Sequence, residues 1–164
     1  MLTRLLYHLP NHEKLVDEVR QIIDKIQPTG NQIICQTLEE HIEDWFTGTG
    51  KVNDLLEKDE RKYKYVQPSL KGSEIEKLIK HHNAFRTRIM IMPSRHSYSV
   101  HNDVTPRIHV PIITNPQAWM IWPFDSVCVR LSEGFVYWTD TTKEHTFMNG
   151  STEQRIHLVM CVEE

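Results

Sequence analysis

From Ala84 onward the chain is a succession of short β-rich runs: FRTRIMIM, SYSVH, RIHVPIIT, AWMIW, SVCVRL, FVYWTD, HTFMN and RIHLVMCVEE. Turn signals stand between them at Pro93, Asp103 to Pro106, Asn115-Pro116, Pro123, Glu133-Gly134 and Asn149-Gly150. Eight short strands punctuated this regularly predict an antiparallel sandwich or jelly roll.

The first half reads differently. Leu15, Val19, Ile22, Ile23 and Ile26 recur at helical spacing, so Asn11 to Ile26 reads as an amphipathic helix, with Asn11 available as its cap and Pro28 and Gly30 ending it. NQIICQT, at 31–37, reads as a short strand, and LEEHIEDWF as a helical turn or a loop with an anchoring aromatic pair. TGTGK, at 47–51, lacks the GxxxxGK[ST] phosphate-loop pattern and reads as a flexible turn. EKDERKYKY reads as a solvated charged face, and SEIEKLIKHH as a second helix with Ser73 and Glu76 in capping-box positions. The expected architecture is mainly β with flanking N-terminal helices. One domain spans 1–164, with 1–83 as helical or irregular support and 84–164 as a double-stranded β-helix core.

A formal charge of −3 over 164 residues argues against a broad nucleic-acid footprint. No apolar run approaches the ~20 residues that span a bilayer, and the N-terminus lacks a signal-peptide pattern. Cytoplasmic residence is the default expectation. Cys35, Cys128 and Cys161 form no CxxC pair and read as core residues.

The chemistry concentrates in YSVHNDVTPRIHVP, from Tyr98 to Pro111. His101 and Asp103 are two apart, so on a strand they share a face and can reach one ion. A further histidine would complete two imidazoles and one carboxylate, the ligand set of non-haem Fe(II) sites with open positions. His145 and His157 both qualify. A hairpin at Asn149-Gly150 would set residue 145 opposite 155, which favours His145. Arg155 inside a barrel needs an anion, and a guanidinium grips a carboxylate through two parallel bonds. A bound dicarboxylate fits that need, and Arg107 and His109 alternate on one face where they could meet its other end. Asn149 itself reads as the hairpin residue.

These residues resemble the 2-oxoglutarate- and Fe(II)-dependent oxygenases, in particular the aspartyl/asparaginyl β-hydroxylase-like branch of the cupin superfamily. The resemblance covers about residues 84–163. It rests on HND (101–103), RIH (107–109), LSEGFVYWTD (131–140), EHTFMN (144–149) and QRIHLV (154–159). It implies iron held by His101, Asp103 and His145, with 2-oxoglutarate and O2 as cosubstrates. Arg155 would hold the far carboxylate of 2-oxoglutarate, while Arg107, His109 and Tyr98 would contact the same molecule. The animal β-hydroxylases lack the metal carboxylate that Asp103 supplies here. Its presence argues against a halogenase, whose chemistry needs that position vacant. The implied reaction is hydroxylation of a C–H bond, with an Asp or Asn side chain in a protein or peptide as the favoured substrate and a small metabolite as the other. A cupin-type enzyme working without 2-oxoglutarate and a non-catalytic binding barrel are the competing readings. Residues 31–71 stand as a candidate substrate lid.

Overall fold

The computed structural model describes residues 1–163. In chain order the elements are β1 (Thr3–His8), α1 (His12–Ile26), β2 (Gln32–Ile34), β3 (Gln36–Thr37), β4 (Tyr65–Val66), α2 (Glu74–His81), β5 (Phe85–Met92), β6 (His96–Ser97), β7 (Arg107–Ile113), β8 (Ala118–Trp122), β9 (Val127–Val129), β10 (Phe135–Thr139), β11 (Thr146–Asn149) and β12 (Arg155–Cys161). The strands form a six-stranded sheet ordered β1-β10-β7-β12-β5-β2, a four-stranded sheet ordered β6-β11-β8-β9, and a β3-β4 ribbon. Every strand pair is antiparallel. None of the described helices is long and apolar enough to cross a membrane.

The six-stranded sheet has two unlike faces because its strands alternate two kinds of residue. Ile89, Ile91, Ile108, Val110, Leu158 and Met160 face one way and pack with Leu15 and Val19 of α1 and with Ile75 and Ile79 of α2. Arg88, Arg107, His109 and Arg155 lie on the other face, around an internal cavity. The four-stranded sheet closes that side, where Met92 of the large sheet meets Met120, Trp122 and Phe147 of the small one.

The helices follow the sequence pattern with local differences. The Asn11 side chain makes no capping bond, and α1 ends at Gln27 in the left-handed region, φ 46°. In α2 the Ser73 hydroxyl accepts from the Glu76 N–H, while the Glu76 carboxylate accepts from the Gly72 N–H. NQIICQT is not one strand, because β2 joins the large sheet and β3 turns away to pair with β4. LEEHIEDWF forms no helix, and of its aromatic pair only Trp45 is buried. The N-terminal residues Thr3–His8, for which no strand was expected, form the edge strand β1 against β10. Cys35 and Cys161 are buried as expected, but Cys128 is exposed on β9, outside the core.

The 47–62 region departs furthest from its sequence reading. Glu60 is buried, 1% exposed, rather than part of a solvated face. Its Oε1 accepts from the Thr105 hydroxyl (2.7 Å) and Arg107 Nη1 (3.1 Å), and its Oε2 from Arg107 Nη2 (3.0 Å) and Arg86 Nη1 (3.2 Å). Arg86 sits at φ 45° beside a bulge in the β5–β12 ladder and donates to the Gly48 and Gly50 carbonyls. TGTGK is therefore pinned to the sheet, with Gly48 at φ 101° against the Tyr63 ring, where a Cβ would lie 2.5 Å from Tyr63 Cε1. Removing the Glu60 charge would leave two buried guanidinium groups short of their shared partner. Glu60→Gln is expected to destabilise the fold by about 3–5 kcal/mol, read as a lower urea midpoint with unchanged cooperativity. A midpoint equal to that of the unsubstituted chain would contradict this account of the 47–62 segment.

Candidate metal centre

Three side chains converge at the cavity. The ligand atoms of His101, Asp103 and His145 all lie within 4.8 Å of one another, and they are the single such trio of metal-apt groups among the described residues. His145 is buried, and Asp103 is half-buried. His101 and His145 exchange two backbone hydrogen bonds, His101 N to His145 O at 3.0 Å and His145 N to His101 O at 2.8 Å. That isolated bridge sets the rings 4.5 Å apart.

Each ring is fixed by the same local device. His101 Nδ1 lies 2.8 Å from the Ser99 carbonyl and His145 Nδ1 lies 2.9 Å from the Lys143 carbonyl. A carbonyl can only accept, so both Nδ1 atoms carry a proton, and in the neutral ring that leaves each Nε2 lone pair for an ion. Burial, the larger influence on His145, also lowers its pKa and favours the neutral, ligating form.

Asp103 is placed by its backbone N–H, which donates to the Thr141 carbonyl at 2.8 Å. Its Oδ1 lies 3.3 Å from Arg107 Nη2, and its Oδ2 lies 3.8 Å from His145 Nε2. One oxygen is thus held by a cation while the other faces the histidines. Burial pushes the Asp103 carboxyl upward, but Arg107 foremost among nearby positive groups outweighs it and keeps the group below the usual carboxylate range. Arg107 is therefore a buried link between Glu60 and Asp103. Both of its terminal nitrogens are engaged within the protein, and Glu60 is the orienting partner that sequence reasoning missed.

Arg155 lies at another part of the same cavity wall, 1% exposed. Its guanidinium carbon stands 4.0 Å from the Phe147 ring centroid, and Nη2 lies 3.8 Å from the Met92 sulfur. Nε and Nη1 have no partner. Burial lowers its pKa to about 10, so the side chain is still a cation at neutral pH. A buried charge with unpaired donors is costly unless something anionic meets it. The cavity, about 580 Å³, has room for a small molecule.

The hairpin that was expected to link His145 with Arg155 does not form. β11 pairs with β6 and β8, whereas β12 pairs with β5 and β7, so the two residues sit in or beside different sheets. Asn149 is buried, and its amide donates to the carbonyls of Pro93 and Glu153. Those bonds make it a corner between sheets rather than the tip of a hairpin. His145 meets His101 through their backbone bridge instead. Tyr98, half-buried, lines the cavity, its N–H donating to the Phe147 carbonyl. His109 is buried on β7 with Nδ1 3.3 Å from His157 Nδ1.

Burial holds both His109 and His157 well below their ordinary pKa, so they are neutral in the fold. In the unfolded chain each regains a pKa of about 6.5. As pH falls, protons bind the unfolded chain first, and stability present above about pH 6.5 is lost below it. The metal-free protein should show a lower urea midpoint at about pH 5.5 than at about pH 7.5. This window lies above the titration of the depressed carboxyls of Glu60 and Asp103. Equal midpoints would contradict the neutral, buried pair.

Similar solved structures include two whose folds match nearly the whole of this chain. One is the viral collagen prolyl hydroxylase vCPH of Paramecium bursaria Chlorella virus-1, in its 2OG complex, at TM-score 0.54 and 12% identity over 99% of this chain and 97% of that one. The other is NgTET1 in complex with 5mC DNA, at TM-score 0.56 and 15% identity over 99% of this chain and 72% of that one. At such identities the likeness speaks to fold. No curated protein matches the sequence significantly. The family model for aspartyl/asparaginyl beta-hydroxylases matches residues 50–164, a span that includes Glu60, the His-Asp-His trio and Arg155. By that match, the chain belongs to the aspartyl/asparaginyl β-hydroxylase family.

Proposed function

We propose that the protein is a 2-oxoglutarate- and Fe(II)-dependent oxygenase that hydroxylates a C–H bond, with an Asp or Asn side chain of a protein or peptide as the substrate class. The two facing sheets are read as a double-stranded β-helix, the jelly roll of the cupin superfamily, and the chain as one domain. The observation that carries the reading is the pairing of a His-Asp-His trio with a buried guanidinium that has two orphaned donors, in one cavity. A metal site alone would fit many enzymes. The unpaired Arg155 asks in addition for a carboxylate.

The residues present fit both absent groups. Two imidazoles and one carboxylate suit a ferrous ion with positions left open. With 2-oxoglutarate and O2, that ion supplies the power to oxidise a C–H bond. His101 and His145 would donate through Nε2, held in that tautomer by Ser99 and Lys143. Asp103 would donate one oxygen while Arg107 holds the other. Arg155 would grip the far carboxylate of the cosubstrate, and Phe147 and Met92 keep water from that guanidinium. Tyr98 and His109 line the cavity between these points and are assigned to cosubstrate contact. Arg107 would act on the cosubstrate chiefly by fixing Asp103.

Arg155→Gln tests the assignment. It should weaken 2-oxoglutarate binding to the Fe(II)-loaded, oxygen-free protein by about 10-fold or more, the scale of lost charge-assisted hydrogen bonds. Fe(II) affinity should change little, because the trio is intact. Unchanged 2-oxoglutarate affinity in Arg155→Gln, or failure of the unsubstituted protein to bind the metal and 2-oxoglutarate together, would overturn the reading.

A further inference from the structure

Four arginines line the cavity, Arg86, Arg88, Arg107 and Arg155, and each is at least nine-tenths buried. Glu60 neutralises part of that charge by pairing with Arg86 and Arg107, and Asp103 lies against Arg107. Arg155 is accounted for by the cosubstrate carboxylate. Arg88 is left over. It is 6% exposed and is in no ion pair among the described residues. Its Nε has no hydrogen-bond partner. Only Nη1 is satisfied within the protein, by the Gln32 side-chain oxygen at 3.1 Å.

The position separates Arg88 from the Arg155 end of the cavity. Both stand on the inner face of the large sheet, but Arg155 is in register with Met92 of β5, whereas Arg88 is four residues back along that strand, opposite Val159. At about 3.3 Å per residue the two side chains are rooted on the order of 13 Å apart along the sheet. Arg88 also lies by the mouth. The Gln32 oxygen that it donates to accepts the Gly50 N–H at 2.9 Å, so it adjoins the segment that carries exposed Lys51, another residue of the cavity wall.

We propose that Arg88, supported by Gln32, is a second anion subsite that receives a carboxylate of the substrate and selects an acidic side chain over its amide. The inference rests on the oxygenase reading above and narrows its substrate. A guanidinium with Nε and one terminal nitrogen free can donate two parallel bonds to a carboxylate. A carboxamide offers one acceptor oxygen, no charge and two donors that would face a cation. Burial sharpens the difference, because a buried guanidinium left without an anion keeps its desolvation cost.

The test uses Mn(II)-loaded protein saturated with 2-oxoglutarate, titrated calorimetrically with acetyl-Gly-Asp-Gly-amide and with acetyl-Gly-Asn-Gly-amide. The acid should bind about 10-fold or more tightly than the amide. Arg88→Gln should erase that preference while 2-oxoglutarate affinity stays within about 2-fold, which also reports that the variant is folded. Arg88→Lys, which keeps the charge and loses the fork, should retain part of the preference. The proposal is overturned if the preference survives in Arg88→Gln, or if the unsubstituted complex prefers the amide or binds neither peptide. It is also overturned if Arg88→Gln weakens 2-oxoglutarate binding instead, since Arg88 would then belong to the cosubstrate. Failure of 2-oxoglutarate to bind the unsubstituted protein at all is a different result, and it would remove the oxygenase reading itself.

Discussion

Arg107 is the point on which the interior depends. Its guanidinium carries a buried carboxylate on one side, Glu60, and a metal-apt carboxylate on the other, Asp103. Neither contact is optional in a low-dielectric interior. Without Glu60, Arg107 and Arg86 would repel each other across a site closed to water. Without Arg107, Glu60 would keep only Arg86 as a cation, and Asp103 would lose the largest of the positive neighbours that hold its pKa down. The chain Glu60–Arg107–Asp103 therefore ties the irregular segment before α2 to the sheet and to the candidate metal site in one network.

That network explains why the large sheet can have a polar face inside a protein. The aliphatic side of β5, β7 and β12 buries against α1 and α2 and supplies the hydrophobic stabilisation. The other side is free to hold arginines and histidines because each is either paired or faces a cavity where a ligand can pair it. The pairing is graded. Arg86 and Arg107 are ion-paired within the chain, although the Nε of Arg107 has no partner. Arg155 and Arg88 are not, and the two unsatisfied cations are where we place the anionic ends of the ligands.

Much of the strand framework was legible because its signal is local. Runs such as RIHVPII and RIHLVMC carry both strand propensity and the alternation that splits the two faces. His101, Asp103 and His145 were legible as a group because few residue types bind metal and their spacing limits the combinations. The hairpin that would favour His145 does not exist, since Asn149-Gly150 turns a corner between sheets. Burial of the Asn149 side chain decided the geometry, and a dipeptide cannot report burial. Glu60 was illegible for a related cause. In EKDERKYKY it looks like any solvated acid, and its interior position follows from Arg86 and Arg107, which are distant in sequence. The strand β1 was missed because its outward and inward residues do not alternate cleanly along an exposed edge.

The central claim is that one ion joins His101, Asp103 and His145 while Arg155 holds the diacid beside it. The most direct measurement is a crystal structure of the protein with Mn(II) and 2-oxoglutarate, using anomalous scattering to locate the metal. The account predicts one strong anomalous peak bonded to both Nε2 atoms and to an Asp103 oxygen, with a carboxylate of 2-oxoglutarate paired to the Arg155 guanidinium. A metal bound elsewhere with the trio empty, or 2-oxoglutarate bound away from Arg155, would contradict it.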